Sequence, residues 1–128
     1  MWESVYRSAS EVVATKRRDL APEIQSAFDA SSQKVFSDGA LPANAKQLIA
    51  VAVAHVTQCP YCINGHTKAA MRRGATPQEL MEAIWMAEEM RAGGAYAHSA
   101  ISLIAMEGGL APHGFQAVGL VSSLISAH

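Results

Sequence analysis

The sequence predicts an all-α domain of five to seven helices, with a Cys-x-x-Cys pair at the start of a central helix. Proline and glycine cut the chain into helix-length pieces. Within those pieces apolar residues recur at three- and four-residue spacing. No alternating run bounded by hairpin turns is left over to form strands. At 128 residues the chain suits a single domain, 1–128, with room for a core but little for a second one.

The opening, MWESVYRSAS, carries charges in its first turns and no continuous apolar block, so it does not read as a secretory signal. The basic run Lys16-Arg17-Arg18 reads as a solvated turn between helices. Pro22 suits the first turn of a helix running through PEIQSAFDASSQKVFSDG to Gly39, with a rough stripe of Ile24, Phe28, Val35 and Phe36. The next piece starts near Pro42, LPANAKQLIAVAVAHVTQ. Its alanines favour helix; VAVAHV alone passes for a strand, and length decides for helix. Pro60 ends that helix and opens PYCINGHTKAAMRRG, which has Arg72 and Arg73 at its negative dipole end. TPQELMEAIWMAEEMRAGG begins with Thr76 as cap, Pro77 at N1 and Glu79 at N3, a capping box with proline added. Leu80, Ile84, Trp85 and Ala87 are expected to line its buried side. Gly93-Gly94 is expected to break it, AYAHSAISLIAME to form another helix up to Gly108-Gly109, and FQAVGLVSSLISA to form the last.

Half of the residues are hydrophobic and 16% are charged, a surplus that points to apolar surface buried between subunits. Ten basic against eleven acidic residues leave no positive footprint for nucleic acid. The run LIAVAVAHV is too short for a bilayer and holds a histidine. The expectation is a soluble, cytoplasmic protein. In a reducing compartment a Cys-x-x-Cys pair is more often redox-active or metal-binding than a structural staple.

The chemistry concentrates in CPYCINGH, residues 59–66, which hold both cysteines of the chain. Pro60 puts Cys59 at or just before a helix start and Cys62 in its first turn. Free backbone N–H groups and the dipole there lower a thiol pKa. Sulfurs three residues apart share a face and approach disulfide distance. His66 lies one turn below Cys62, able to take its proton or pair with its thiolate. Spacing favours Cys62 as the first thiolate to react and Cys59 as the resolving partner. Thioredoxin-like proteins use the opposite order, and CPYC is also the glutaredoxin tetrapeptide. That fold needs a preceding β-strand, which is not readable here. Two bland alternatives stand beside the redox pair. One is a zinc clip of Cys59, Cys62 and His66 with His55 or His98, tight for a single helical turn; the other is two small apolar side chains in a core.

KQLIAVAVAHVTQCPYCINGHTKAA, followed by TPQELMEAIWMA, resembles the signature helices of the AhpD-like alkylhydroperoxidase and carboxymuconolactone decarboxylase superfamily, over roughly residues 42–106. The resemblance implies packed helices assembled as trimers or hexamers, and thiol-dependent peroxide reduction without a metal or organic cofactor. Carried over, Cys62 is peroxidatic, Cys59 resolving and His66 the relay base. The substrate is a small hydroperoxide, and the reductant an external dithiol of lipoyl or thioredoxin type. The family's relay glutamate falls at Gln47, which hydrogen-bonds but takes no proton at neutral pH. His55, four residues before Cys59, is the candidate to replace it, with a helix-interface histidine as the alternative. His98 is a pocket candidate on the same terms. Tyr61 stands where AhpD has a second histidine.

Lactone decarboxylation, the superfamily's other namesake chemistry, uses acid/base groups and arginines rather than a dithiol. A non-catalytic thiol-disulfide protein or sensor is the rival from another class. Glu88 and Glu89 read as solvated, and Met71, Met81, Met86 and Met90 as core or subunit interface. His113 sits in a Pro/Gly loop, and His128 is given no role.

Overall fold

The computed structural model describes residue 6 and residues 10–108, and among them the chain is helical with no strand. Five helices follow in order: α1 (Glu11–Leu20), α2 (Pro22–Phe36), α3 (Ala43–Thr57), α4 (Pro60–Arg72) and α5 (Pro77–Met106). No helix among the described residues is long and apolar enough to cross a membrane.

The basic run is not a turn but the last turns of α1. Ser10 caps that helix by accepting the Val13 N–H, Glu11 sits in its first turn, and Arg17 and Arg18 lie at its carbonyl end. Each of these favours helix over turn. Pro22 then disfavours helical backbone at Ala21, whose φ is −149°, and starts α2 as its first residue.

α2 stops at Phe36, short of Gly39, because the following corner has its own hydrogen bonds. Ser37 Oγ donates to Lys34 O (2.7 Å), and Asp38 Oδ1 accepts the Ala43 N–H (2.7 Å), capping α3 from outside. Lys46 Nζ reaches back to Ser37 O (2.7 Å). The expected α2 stripe is not buried within the chain: Ile24, Val35 and Phe28 (66% exposed) face outward, and only Phe36 is partly covered.

α3 buries one face, Ala43, Gln47, Val51 and Ala54, at helical spacing. It packs most extensively on α4, and its Val51, wholly buried, joins Ala70 of α4 and Leu80 of α5 in a small core flanked by Leu48, Ala75 and Ile84. α4 ends as the sequence suggests: Gly74 takes a φ of +91°, and the Ala75 N–H returns to Ala70 O. The α5 capping box forms in both directions, with Glu79 N–H on Thr76 Oγ1 (3.1 Å) and Thr76 N–H on Glu79 Oε1 (3.3 Å).

Trp85 departs from the expected buried side and is 62% exposed. Leu80, Ile84 and Ala87 fall within a narrow arc at 100° per residue, whereas position 85 lies well around the helix from it.

The chain divides into two compact units, Met1–Ala87 and Glu88–His128. In the second, the described residues are the later turns of α5, and Gly93-Gly94 does not break the helix there. Neither glycine has a positive φ. Two glycines weaken a helix by about 1 kcal/mol each without forbidding it, and Ala-rich sequence follows them. The predicted stop does occur: α5 ends at Met106, and Gly108 has a φ of +107°. The expected last helix, His113 and His128 lie outside the described residues.

Candidate redox site

The junction of α3 and α4 builds the site. Gln58 ends α3 in the left-handed conformation (φ 57°), and the Cys59 N–H returns to Ala54 O (3.2 Å). The chain therefore leaves α3 and enters α4 within two residues. Cys59 becomes the N-cap of α4, with Pro60 as the first helical residue. The Cys59 sulfur takes the place of the usual capping oxygen, and the Cys62 N–H points at it (3.3 Å). Cys59 and Cys62 are disulfide-bonded, with Cα atoms 5.3 Å apart. Both are partly buried, and the Tyr61 ring between them is exposed and meets Tyr6 edge-on at 6.0 Å.

His66, one turn after Cys62, is held from two sides. Its Nδ1 lies 2.9 Å from Gln47 Oε1, and its ring stacks on Phe36, with centroids 5.0 Å apart and planes 20° from parallel. Gln47 is 6% exposed and is the only polar residue buried among the described residues. The structure thus brings four of the expected residues together: Cys59, Cys62, His66 and Gln47.

The two other histidines are placed differently. His55 is partly buried on α3, and its Nδ1–H donates to Val51 O of its own helix (2.7 Å). His98 is exposed on the part of α5 that follows Ala87. Among the described residues, no three His, Cys, Asp or Glu side chains gather to hold a metal ion. Arg72 and Arg73 sit at the opposite end of α4 from the cysteines and are exposed.

Phe36 is the site residue that sequence reasoning missed. It ends a stripe that otherwise faces outward, and nothing local marks it. Its position depends on the α2–α3 corner, thirty residues away from His66 in sequence. Gln47 did carry a signal, since it stands where the resembled family has its relay glutamate.

Residues 22–118 match the carboxymuconolactone decarboxylase family. The chain belongs to that family. A Paracoccus denitrificans protein, named as uncharacterised protein 4 in the cox locus, is 62% identical over 84 residues, covering 66% of this chain and 76% of that one. An uncharacterised protein of Cupriavidus necator is 41% identical over 72 residues, 56% of this chain and 64% of its own length. Two crystal structures are similar as well. One is the apo form of a carboxymuconolactone decarboxylase family protein from Legionella pneumophila, 38% identical with a TM-score of 0.59, covering 62% of this chain and 70% of that one. The other, from Methanobacterium thermoautotrophicum, is 35% identical with a TM-score of 0.63, covering 69% and 97%. This member of the family carries a disulfide-capable Cys-x-x-Cys with an imidazole one turn on.

Proposed function

We propose that the protein is a thiol-dependent peroxidase that reduces hydroperoxides through the Cys59–Cys62 pair. The observation that carries this reading is the disulfide at the α4 N-terminus, one turn from a histidine that is itself held in place. The reduced Cys62 thiolate attacks the O–O bond of a hydroperoxide, which breaks. Cys62 becomes a sulfenic acid and the alcohol leaves with a proton. The Cys59 thiolate then attacks the sulfenic sulfur, forming the disulfide, and hydroxide departs as water. An external dithiol, of lipoyl or thioredoxin type, supplies the two electrons that reopen the pair. His66 takes the Cys62 proton and returns it to the leaving oxygen.

Two forces pull on the assignment of the first nucleophile. The Cys62 N–H faces the Cys59 sulfur, which favours Cys59 as a thiolate. The imidazole stands one turn from Cys62, which favours Cys62. The proposed cycle uses both: Cys62 attacks the peroxide, and Cys59, as the capped thiolate, resolves it and leaves readily when the disulfide is reduced.

Gln47 in place of a carboxylate gives the second reading its weight, a thiol-disulfide exchange protein or sensor that oxidises without peroxide turnover. Steady-state peroxide consumption with excess dithiol separates the two. Lactone decarboxylation has less support. The arginines of α4 lie at its far end, and that chemistry has no use for a dithiol; cysteine alkylation would leave it intact and would abolish peroxidase turnover.

Self-association belongs to the same proposal. Ile24, Phe28, Ile49, Val53 and Trp85 are exposed in the first unit, while the large side chains wholly buried among the described residues number one, Val51. A core this small does not stabilise a helical domain alone, so a trimer or hexamer of the chain is expected to cover these faces.

A further inference from the structure

We infer that Gln47 and Phe36 are positioning residues that hold the His66 proton on Nδ1 and so leave Nε2 as the ring's lone-pair nitrogen whenever the imidazole acts as a base, so that the site is a Cys–His–amide triad and not a weakened carboxylate relay. This deepens the peroxidase reading and rests on it for the identity of the substrate.

The inference starts from the donor and acceptor chemistry of one contact. The atom facing His66 Nδ1 is the carboxamide oxygen of Gln47, which only accepts. The ring must therefore carry its proton on Nδ1. In a neutral imidazole that leaves Nε2 as the acceptor. A free histidine side chain in water prefers the opposite tautomer, so the protein selects this one. A glutamate at position 47 would select the same tautomer but would also stabilise the charged imidazolium. The neutral amide does the first without placing a negative charge beside the ring.

Phe36 supplies the second constraint. A hydrogen bond at one edge leaves the ring free to rock about that edge. A near-parallel ring 5.0 Å away removes that freedom on one face. Both restraints are themselves anchored. Gln47 is buried on the face of α3 that packs on α4. Phe36 is set by the corner in which Lys46 holds Ser37 O and Asp38 holds the Ala43 N–H. Lys46 is the residue before Gln47, so one turn of α3 controls both sides of the imidazole.

The decisive test is the tautomer of His66, read by long-range 15N–1H correlation on 15N-histidine-labelled oxidised protein at a pH where the ring is neutral. The expected result is a protonated Nδ1 and a bare Nε2. A protonated Nε2 in the wild type would overturn the inference, because Gln47 would then be donating and His66 would offer no lone pair to the thiol. Variants extend the test in a Cys59→Ser background, where iodoacetamide reports Cys62 alone. Gln47→Leu is expected to move the ring proton to Nε2 and to slow alkylation at neutral pH about tenfold. Gln47→Glu is expected to keep the proton on Nδ1. Phe36→Leu keeps the tautomer and slows alkylation by a smaller factor. Unchanged tautomer and alkylation in a folded Gln47→Leu protein would also overturn the inference. The wild-type spectrum needs no variant to fold and no peroxide to turn over. A protonated Nδ1 without peroxide turnover therefore sinks the peroxidase reading alone, whereas turnover with a protonated Nε2 sinks the positioning role alone.

Discussion

At the scale of single residues, the site depends on a few side chains whose roles separate cleanly. Cys62→Ser is expected to abolish peroxide turnover, and Cys59→Ser to leave Cys62 oxidised but unresolved, which a carbon nucleophile that traps sulfenic acid would detect. Neither change removes large apolar surface, so thermal unfolding of the reduced proteins should stay close to wild type. Val51 is the contrasting case. Val51→Ala removes packing from the one large side chain wholly buried in the described chain, and about 2 kcal/mol of stability should go with it in denaturant titration. The sequence made Cys59, Cys62 and His66 legible because a proline, two sulfurs and an imidazole at fixed helical spacing act locally. Gln47 was legible as a departure from the family pattern. Its partnership with His66 was legible only through the family's relay, because the contact joins residues nineteen apart on two helices. Phe36 was hidden for the same reason.

At the scale of elements, caps and turn residues decided most boundaries, and these are the features most readable in a sequence. The capping box at Thr76 is worth about 1 kcal/mol, and Thr76→Ala should show that loss in chemical denaturation. Gly93-Gly94 suggests a break in the sequence, yet the helix runs on, since the cost of glycine is modest and no proline reinforces it. A Cβ at Gly93 or Gly94 meets nothing within 4 Å, so each Gly→Ala change should stabilise the helix by about 0.5–1 kcal/mol. Gly74 has the same open space but a φ of +91°, and Gly74→Ala should destabilise instead. A fall in stability for the α5 changes would mean that a second subunit packs against those glycines. The charge of Lys16-Arg17-Arg18 suggests a solvated turn, but its position between the Ser10 cap and the end of α1 makes it helix.

At the scale of the whole molecule, composition carried the clearest message. A chain that is half hydrophobic, with most of its large apolar side chains exposed among the described residues, is the observation behind the proposed self-association. Light scattering after size-exclusion chromatography should give a mass of several chains, and Phe28→Asp or Trp85→Asp should lower it. A stable, folded monomer would contradict this. The expected stripe of α2 and the expected side of α5 were periodic in the sequence, but periodicity does not say whether a face is covered by the same chain or by another.

The central claim is that Cys62 is the thiol that meets the peroxide, and intact mass after a single oxidation tests it most directly. Fully reduced protein is given one equivalent of an organic hydroperoxide and read at short times, for wild type, Cys59→Ser and Cys62→Ser. The peroxidase assignment predicts rapid loss of two hydrogens in wild type, an added oxygen in Cys59→Ser and no fast change in Cys62→Ser. An oxygen added rapidly to Cys62→Ser, or oxidation of the wild type no faster than a free thiol in solution, would contradict it.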